Sequence, residues 1–210
     1  MKQPSTRAKR SGPKSDSRSE KRAGERIFEV AADLFYRESI RSVGVETIVQ
    51  KAGVAKISLY RSFASKDDLI VAYLNDRNET YWRAIDRLLA KQEGEPRAQL
   101  RLLVDYIAER TTTPGYRGCP FINYAAEFPD RSHPGHRIAA ANKQKMRDRL
   151  TGLLKATGIG DAARLADAVF LVIDGAYASS QTLGGRSGPA KVAAWAANAL
   201  INAQLGTEAN

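Results

Sequence analysis

Apolar residues recur at three- and four-residue spacing along almost the whole chain, the pattern of helices that each bury one face. Ile27, Val30, Ala31, Leu34 and Phe35 mark a first helix from about Ser19 to Ser39. Val45, Ile48, Val49 and Ala52 mark a short second one, which Gly53 ends. A third short helix is predicted near Lys56 to Ser62. Ser65, with Asp68 three residues on, reads as the capping box of a long fourth helix carrying Leu69, Ile70, Tyr73, Leu74, Ile85 and Leu89. Gly94 and Pro96 close it. Leu100, Leu103, Val104 and Ile107 define a fifth helix, a sixth runs from about Pro120 to Phe128, and a seventh reaches Gly158. The eighth, about Asp161 to Leu183, is the most apolar segment, and a ninth begins at Pro189 after Gly184 and Gly185 break the chain. No stretch alternates as a strand should, so the expected fold is all-α with about nine helices.

Charge adds an asymmetry to this picture. Of the net +10, residues 1–22 hold +6 and the other 188 residues only +4. The first 18 residues are too polar to offset the entropy of ordering them, and they are expected to form a disordered basic arm. Such an arm suggests a polyanionic partner, either nucleic acid or an anionic membrane surface, with a solubilising tail as the plainer alternative. No apolar stretch of the secretory type follows Lys2, and no apolar run approaches the ~20 residues of a membrane span. The nearest run, Ala168 to Ala178, is interrupted by Asp174. A cytoplasmic protein without a membrane partner is expected. Cys119 is the single cysteine, and His133 and His136 have no thiol or carboxylate at ligand spacing, so neither a metal site nor a cofactor is expected. No nucleophile–base pair or phosphate loop stands at meaningful spacing, which argues against an enzyme.

The segment Val45 to Phe63 has the form of a helix-turn-helix. Val49 and Ala52 are small enough for two helices to cross closely, and Gly53 suits a turn at positive φ. Val54 and Leu59 would anchor the second helix, leaving Lys56, Ile57, Ser58, Tyr60 and Arg61 on its outer face for a major groove. A wider frame surrounds this hairpin: Ala31-x-x-Leu34-Phe35, Val45-x-x-Ile48, Ala52-Gly53-Val54, Leu59-Tyr60-x-x-Phe63 and Ser65-Lys66-x-x-Leu69. From about Glu25 to Leu74 it closely resembles the N-terminal domain of TetR-family transcriptional regulators. Two positions depart from the family pattern: Ala55 stands where many members cap the recognition helix with Ser or Thr, and Ile57 where a small residue is common.

Beyond the basic arm (1–18), the resemblance implies a DNA-binding domain (19–65, its helix-turn-helix at about 44–63) and a C-terminal effector-binding and dimerisation domain (66–206). It implies a homodimer reading a palindromic double-stranded operator, a repressor released by a small-molecule effector. The alternative is a constitutive helix-turn-helix or nucleoid-type binder without an effector. Lys56, Lys66, Tyr60 and Thr47 are the expected phosphate contacts, while Ser58, Ile57 and Arg61 are placed for base edges. Polar and aromatic residues on otherwise apolar helices, Tyr81, Trp82, Tyr106, Phe121, Asn123, Tyr124, Glu127, Asp174 and Tyr177, are the candidates for effector contact. Asp174 is the sharpest of these, because a carboxylate amid Phe170-Leu171-Val172-Ile173 needs a partner. Val169, Ile173 and Ala176 of the eighth helix, with Val192, Trp195 and Ala199 of the ninth, are the expected dimer interface.

Overall fold

The structure is a computed structural model that describes residues 14–207, with side chains for 20–206. Among the described residues there are nine α-helices and no strand: α1 (Lys14–Arg37), α2 (Val45–Ala52), α3 (Lys56–Ser62), α4 (Lys66–Leu89), α5 (Pro96–Thr112), α6 (Pro120–Glu127), α7 (Gly135–Ala156), α8 (Ala162–Thr182) and α9 (Ala193–Thr207). A 3-10 turn, Ala90–Gln92, extends α4, and another, Pro189–Val192, leads into α9. The all-α expectation is met. Helix α1 begins five residues before the expected Ser19, so residues 14–18 of the basic arm are helical, and residues 1–13 lie outside the described residues.

The chain divides into two compact units, residues 1–73 and 74–210, and α4 runs unbroken from one into the other. In the first unit α1 packs on α2 and α3. Its core is the apolar face read from the sequence, with Ile27, Ala31, Leu34 and Phe35 against Ile48, Leu59, Leu69 and Tyr73, all buried. The Phe35 and Tyr73 rings meet edge to face at 5.6 Å. Gly53 ends α2 at φ 63° and ψ 41°, a left-handed geometry that carries a Cβ only with strain, and its N–H closes the helix on the Gln50 and Val49 carbonyls. Ser65 begins α4 as expected: its Oγ accepts from the Asp68 N–H at 3.0 Å and donates to the Asp68 carboxylate at 2.8 Å.

In the second unit α8 is the hub, packed by α5, α7 and α9. Leu165, Ala166, Val169, Ile173, Ala176, Tyr177 and Ser180 form its buried stripe. Its opposite face leaves Leu171, Gly175 and Ala178 exposed, at four- and three-residue spacing. Val169, Ile173 and Ala176 therefore lie inside the chain's own core, 0%, 3% and 4% exposed, rather than on a surface offered to a second copy. The reason is that α8 is apolar on both faces, so periodicity alone could not say which face turns inward.

Candidate nucleic-acid interface and ligand region

Helix α3 is held by one side chain. Leu59 is fully buried, Val54 is half-buried at the turn, and Lys56, Ile57, Tyr60 and Arg61 are exposed. An isoleucine at 59% and a tyrosine at 46% exposure on a seven-residue helix form an apolar contact surface with no intramolecular use. Ser58 is half-buried and lends its carbonyl to the Ser62 hydroxyl at 3.0 Å, while Thr47 is half-buried in the first turn of α2. Ala55 provides no side-chain cap, so the first amides of α3 lack the usual N-cap acceptor.

The cations around α3 are engaged with side chains or backbone from other elements. Lys56 of α3 pairs with Glu46 of α2, and that carboxylate, by hydrogen bond and by charge, holds the lysine above its ordinary pKa. Arg61 pairs with Glu20 of α1 at 2.9 Å. Lys66, at the start of α4, donates to the Ile40 carbonyl at 2.7 Å and lies 5.9 Å from the Phe35 ring centroid. In that position it staples the loop between α1 and α2, a role that the sequence did not suggest.

In the second unit the expected effector residues fall into separate groups. Tyr81 and Tyr177 come together, their hydroxyls 3.4 Å apart, and burial pushes both phenols well above their ordinary pKa. Tyr106 lies one turn from Arg110 on α5, and the exposed Arg110 Nη1 donates to its hydroxyl at 3.1 Å. Asp174 finds the partner it needs in Lys143 of α7, at 2.6 Å and with both side chains largely buried. The Lys143 ammonium also sits 5.0 Å from the centre of the Tyr177 ring. Phe121 and Tyr124 are buried in the core, the Tyr124 hydroxyl bonded to His133 Nδ1 at 2.7 Å. Asn123 donates to the Arg117 carbonyl and accepts from Gln181 of α8, tying the start of α6 to α8. Gly118 makes that tie possible: at φ +88°, a Cβ there would lie 1.8 Å from the Gln181 amide nitrogen. Trp82 is buried beneath Lys145, 4.4 Å from its ring centre, meets the Tyr81 ring edge to face at 5.5 Å, and lines a groove of about 390 Å³ that none of the tyrosines lines. Glu127 is half-buried at the end of α6.

Arg110, Tyr116 and Lys143 were not among the expected site residues. Each sits on a charged or loop stretch where sequence periodicity carries no signal, and only packing brings them to the tyrosines. A further groove, about 610 Å³, opens between α6 and α7 over Phe121, Ile122, Phe128 and Ala139, with Arg131 and His136 at its rim.

A helix presenting exposed apolar and cationic side chains, carried in a small unit of its own beside an αL glycine turn, defines the helix-turn-helix class of DNA-binding protein. The comparisons agree and are more specific. Residues 27–73 match the family described as bacterial regulatory proteins, tetR family. The chain is 26% identical over 165 residues to the HTH-type transcriptional regulator TtgR of Pseudomonas putida, covering 71% of this chain and 75% of that one. It is 26% identical over 156 residues to the HTH-type regulator YjdC of Escherichia coli, covering 72% and 79%. Among solved structures, SCO4454, a TetR-family regulator of Streptomyces coelicolor, superposes with a TM-score of 0.82 at 29% identity, covering 93% of this chain and 97% of that one. A putative TetR-type regulator of Streptomyces avermitilis gives 0.75 at 28%, covering 87% and 97%. The chain therefore carries a TetR-type DNA-binding domain at residues 27–73, and over most of its length it is similar to TetR-family transcriptional regulators. No described helix is long and apolar enough to cross a membrane.

Proposed function

We propose that the chain is a homodimeric repressor that leaves a palindromic operator when a small-molecule effector binds its second unit. The observation that carries the effector reading is the Tyr81–Tyr177 pair, a half-buried and a buried phenol whose hydroxyls stand 3.4 Å apart among otherwise apolar helices. A few polar groups set among apolar helix faces are what a ligand pocket uses to fix orientation. DNA recognition is assigned to residues 19–65 and effector binding and dimerisation to 66–206.

Within the first unit, Ile57, Ser58 and Arg61 are assigned to base edges, and Thr47, Lys56 and Tyr60 to phosphates. Lys66 is assigned to the phosphate side as well, acting through the loop it staples. The dimer face is assigned to the exposed apolar side chains of α8 and the α9 region: Leu171 at 70%, Trp195 at 73%, Val192 at 43% and Leu200 at 38% exposure, together with exposed Ala199. Exposed large apolar residues grouped on two adjacent helices mark an interaction surface. A two-fold axis through that face makes the operator palindromic, its half-sites about 34–36 Å apart. An effector that binds better when the recognition helices are wrongly spaced then weakens operator binding by linkage.

Selection of genomic fragments by the purified protein, followed by sequencing, tests the reading. The expected product is a two-fold symmetric motif. Recovery of fragments with no common motif would return the chain to the constitutive, nucleoid-type alternative.

A further inference from the structure

Helix α6 is apolar on two sides. Phe121 and Tyr124 face the core, and both are buried. A second stripe, Ile122, Ala125 and Ala126, is continued beyond the helix end by Pro129, at i, i+3, i+4 and i+7. Ile122 is half-buried and the other three are exposed. Helix α7 carries a stripe of the same spacing, His136, Ala139, Ala140 and Lys143. The two stripes line one groove of about 610 Å³, a volume within the range of small-ligand pockets.

Alanines at the centre of both walls leave the groove open where larger side chains would fill it. The spacing of the walls is set by packing beneath them. The His136 Nε2 donates to the Phe128 carbonyl at 2.7 Å, and the Phe128 ring stacks on Tyr124 at 4.8 Å and 14°. Gly135 lets α7 begin against that ring, since a Cβ there would lie 2.5 Å from Tyr124 Cζ.

Charge is unevenly placed around the groove. Its lining includes Arg131, His136 and Lys143 and no carboxylate. Lys143, at one end, is matched by Asp174 at 2.6 Å. Glu127 and Asp130 precede Arg131 but do not line the groove, and the Asp130 carboxylate is turned into its own loop, accepting from the Ser132 N–H at 2.9 Å and Oγ at 2.7 Å. Arg131 stands exposed at the other end, beside the first turn of α7. An anion there stays in water on its open side, so no charge has to be buried, while an attached apolar tail leaves water along the alanines.

Length follows from the helix. From His136 to Lys143 α7 rises about 10 Å, at ~1.5 Å per residue. An extended alkyl chain advances ~1.25 Å per carbon, given bonds of ~1.5 Å, so about eight carbons span the groove. We propose that the groove between α6 and α7 binds a medium-chain carboxylate, its alkyl tail along the alanines and its carboxylate at Arg131. The inference goes beyond the effector reading and does not rest on it, since Tyr81, Tyr116 and Tyr177 do not line this groove.

The test is calorimetric titration of the full chain with hexanoate, octanoate, decanoate and dodecanoate, and with octanamide as the uncharged match. A fully buried methylene raises affinity about fourfold, and one covered on a single side about twofold. Affinity should therefore rise about fourfold from hexanoate to octanoate, and by less than about twofold from decanoate to dodecanoate, where the chain outruns the groove. Octanoate should bind about threefold more tightly than octanamide, whereas an apolar surface without a cation favours the amide, which costs less to desolvate. Arg131→Gln should remove that preference. Ala140→Leu, at an exposed position, should fill the groove and weaken octanoate by about tenfold or more. Octanoate that does not bind, affinity that climbs at the same slope to dodecanoate, or an amide that binds as tightly as the acid would overturn the proposal. So would an acid preference that survives in Arg131→Gln, or octanoate binding that Ala140→Leu leaves unchanged.

Discussion

Trp195 offers the most direct measurement of how this chain pairs with itself. At 73% exposure it leaves about 180 Å² of a side chain of ~250 Å² open to water. At ~25 cal/mol per Å², covering that area is worth about 4.5 kcal/mol at most. Association recovers only part of such a figure, because immobilising the side chain and desolvating its rim oppose it, so about 2 kcal/mol per protomer is the working value. A two-fold interface uses the residue twice. Trp195→Ala should therefore raise the dimer dissociation constant roughly a thousandfold, from about 4 kcal/mol at ~1.4 kcal/mol per decade. Sedimentation velocity over a dilution series reads this directly, with circular dichroism to confirm that the helices remain. Ala176→Arg is the control that separates face from core. Ala176 is 4% exposed, so the substitution forces a charge into the packing around α8 and should unfold the second unit rather than release a folded monomer. A Trp195→Ala protein that dimerises within threefold of the original would refute the interface assignment. A folded, monomeric Ala176→Arg would show that the two faces of α8 had been assigned the wrong way round.

Three further outcomes concern the recognition helix. Neutralising Glu20, the partner of Arg61 at 2.9 Å, by Glu20→Gln should raise affinity for random-sequence duplex. It should also steepen the slope of log affinity against log salt by about one for each site, since a carboxylate no longer faces the phosphates; fluorescence anisotropy across a salt series checks both. Arg61→Ala should alter base preference by about 1–3 kcal/mol at one position of each half-site, whereas Tyr60→Phe should weaken all sequences alike, and identical selection profiles for the two variants would contradict the division of roles. Ala55→Ser should supply the missing cap of α3 and stabilise the first unit by about 1 kcal/mol in thermal or denaturant unfolding, and no gain would mean that the first amides of α3 are satisfied another way.

The first unit was largely legible in advance because its functional features are local. A capping box, an αL glycine and the exposed face of a seven-residue helix lie within a short span of chain. Their geometry follows from residue spacing and backbone sterics, as the Ser65–Asp68 bonds and the Gly53 turn bear out. Lys66 was expected at a DNA phosphate, but its bonds to the loop before α2 depend on a segment 26 residues away and were not legible.

The amino-acid sequence by itself determined the helical class, the position of the helix-turn-helix and its TetR-type character over residues 27–73, because periodicity and turn chemistry act over a few residues and survive in any context. It also raised the right question at Asp174, a carboxylate that had to find a partner. Only the tertiary structure named that partner as Lys143, gathered Tyr81, Tyr116 and Tyr177 from two helices and a loop, and buried Val169, Ile173 and Ala176 while leaving Leu171 and Trp195 in water. On α8, apolar on both sides, and on α9, rich in alanine, no pattern of spacing distinguishes the side that meets the chain's own core from the side left free. That choice is made by which neighbouring helices fill the volume around each face, and the hydrophobic effect, being non-directional, does not encode it in either helix alone.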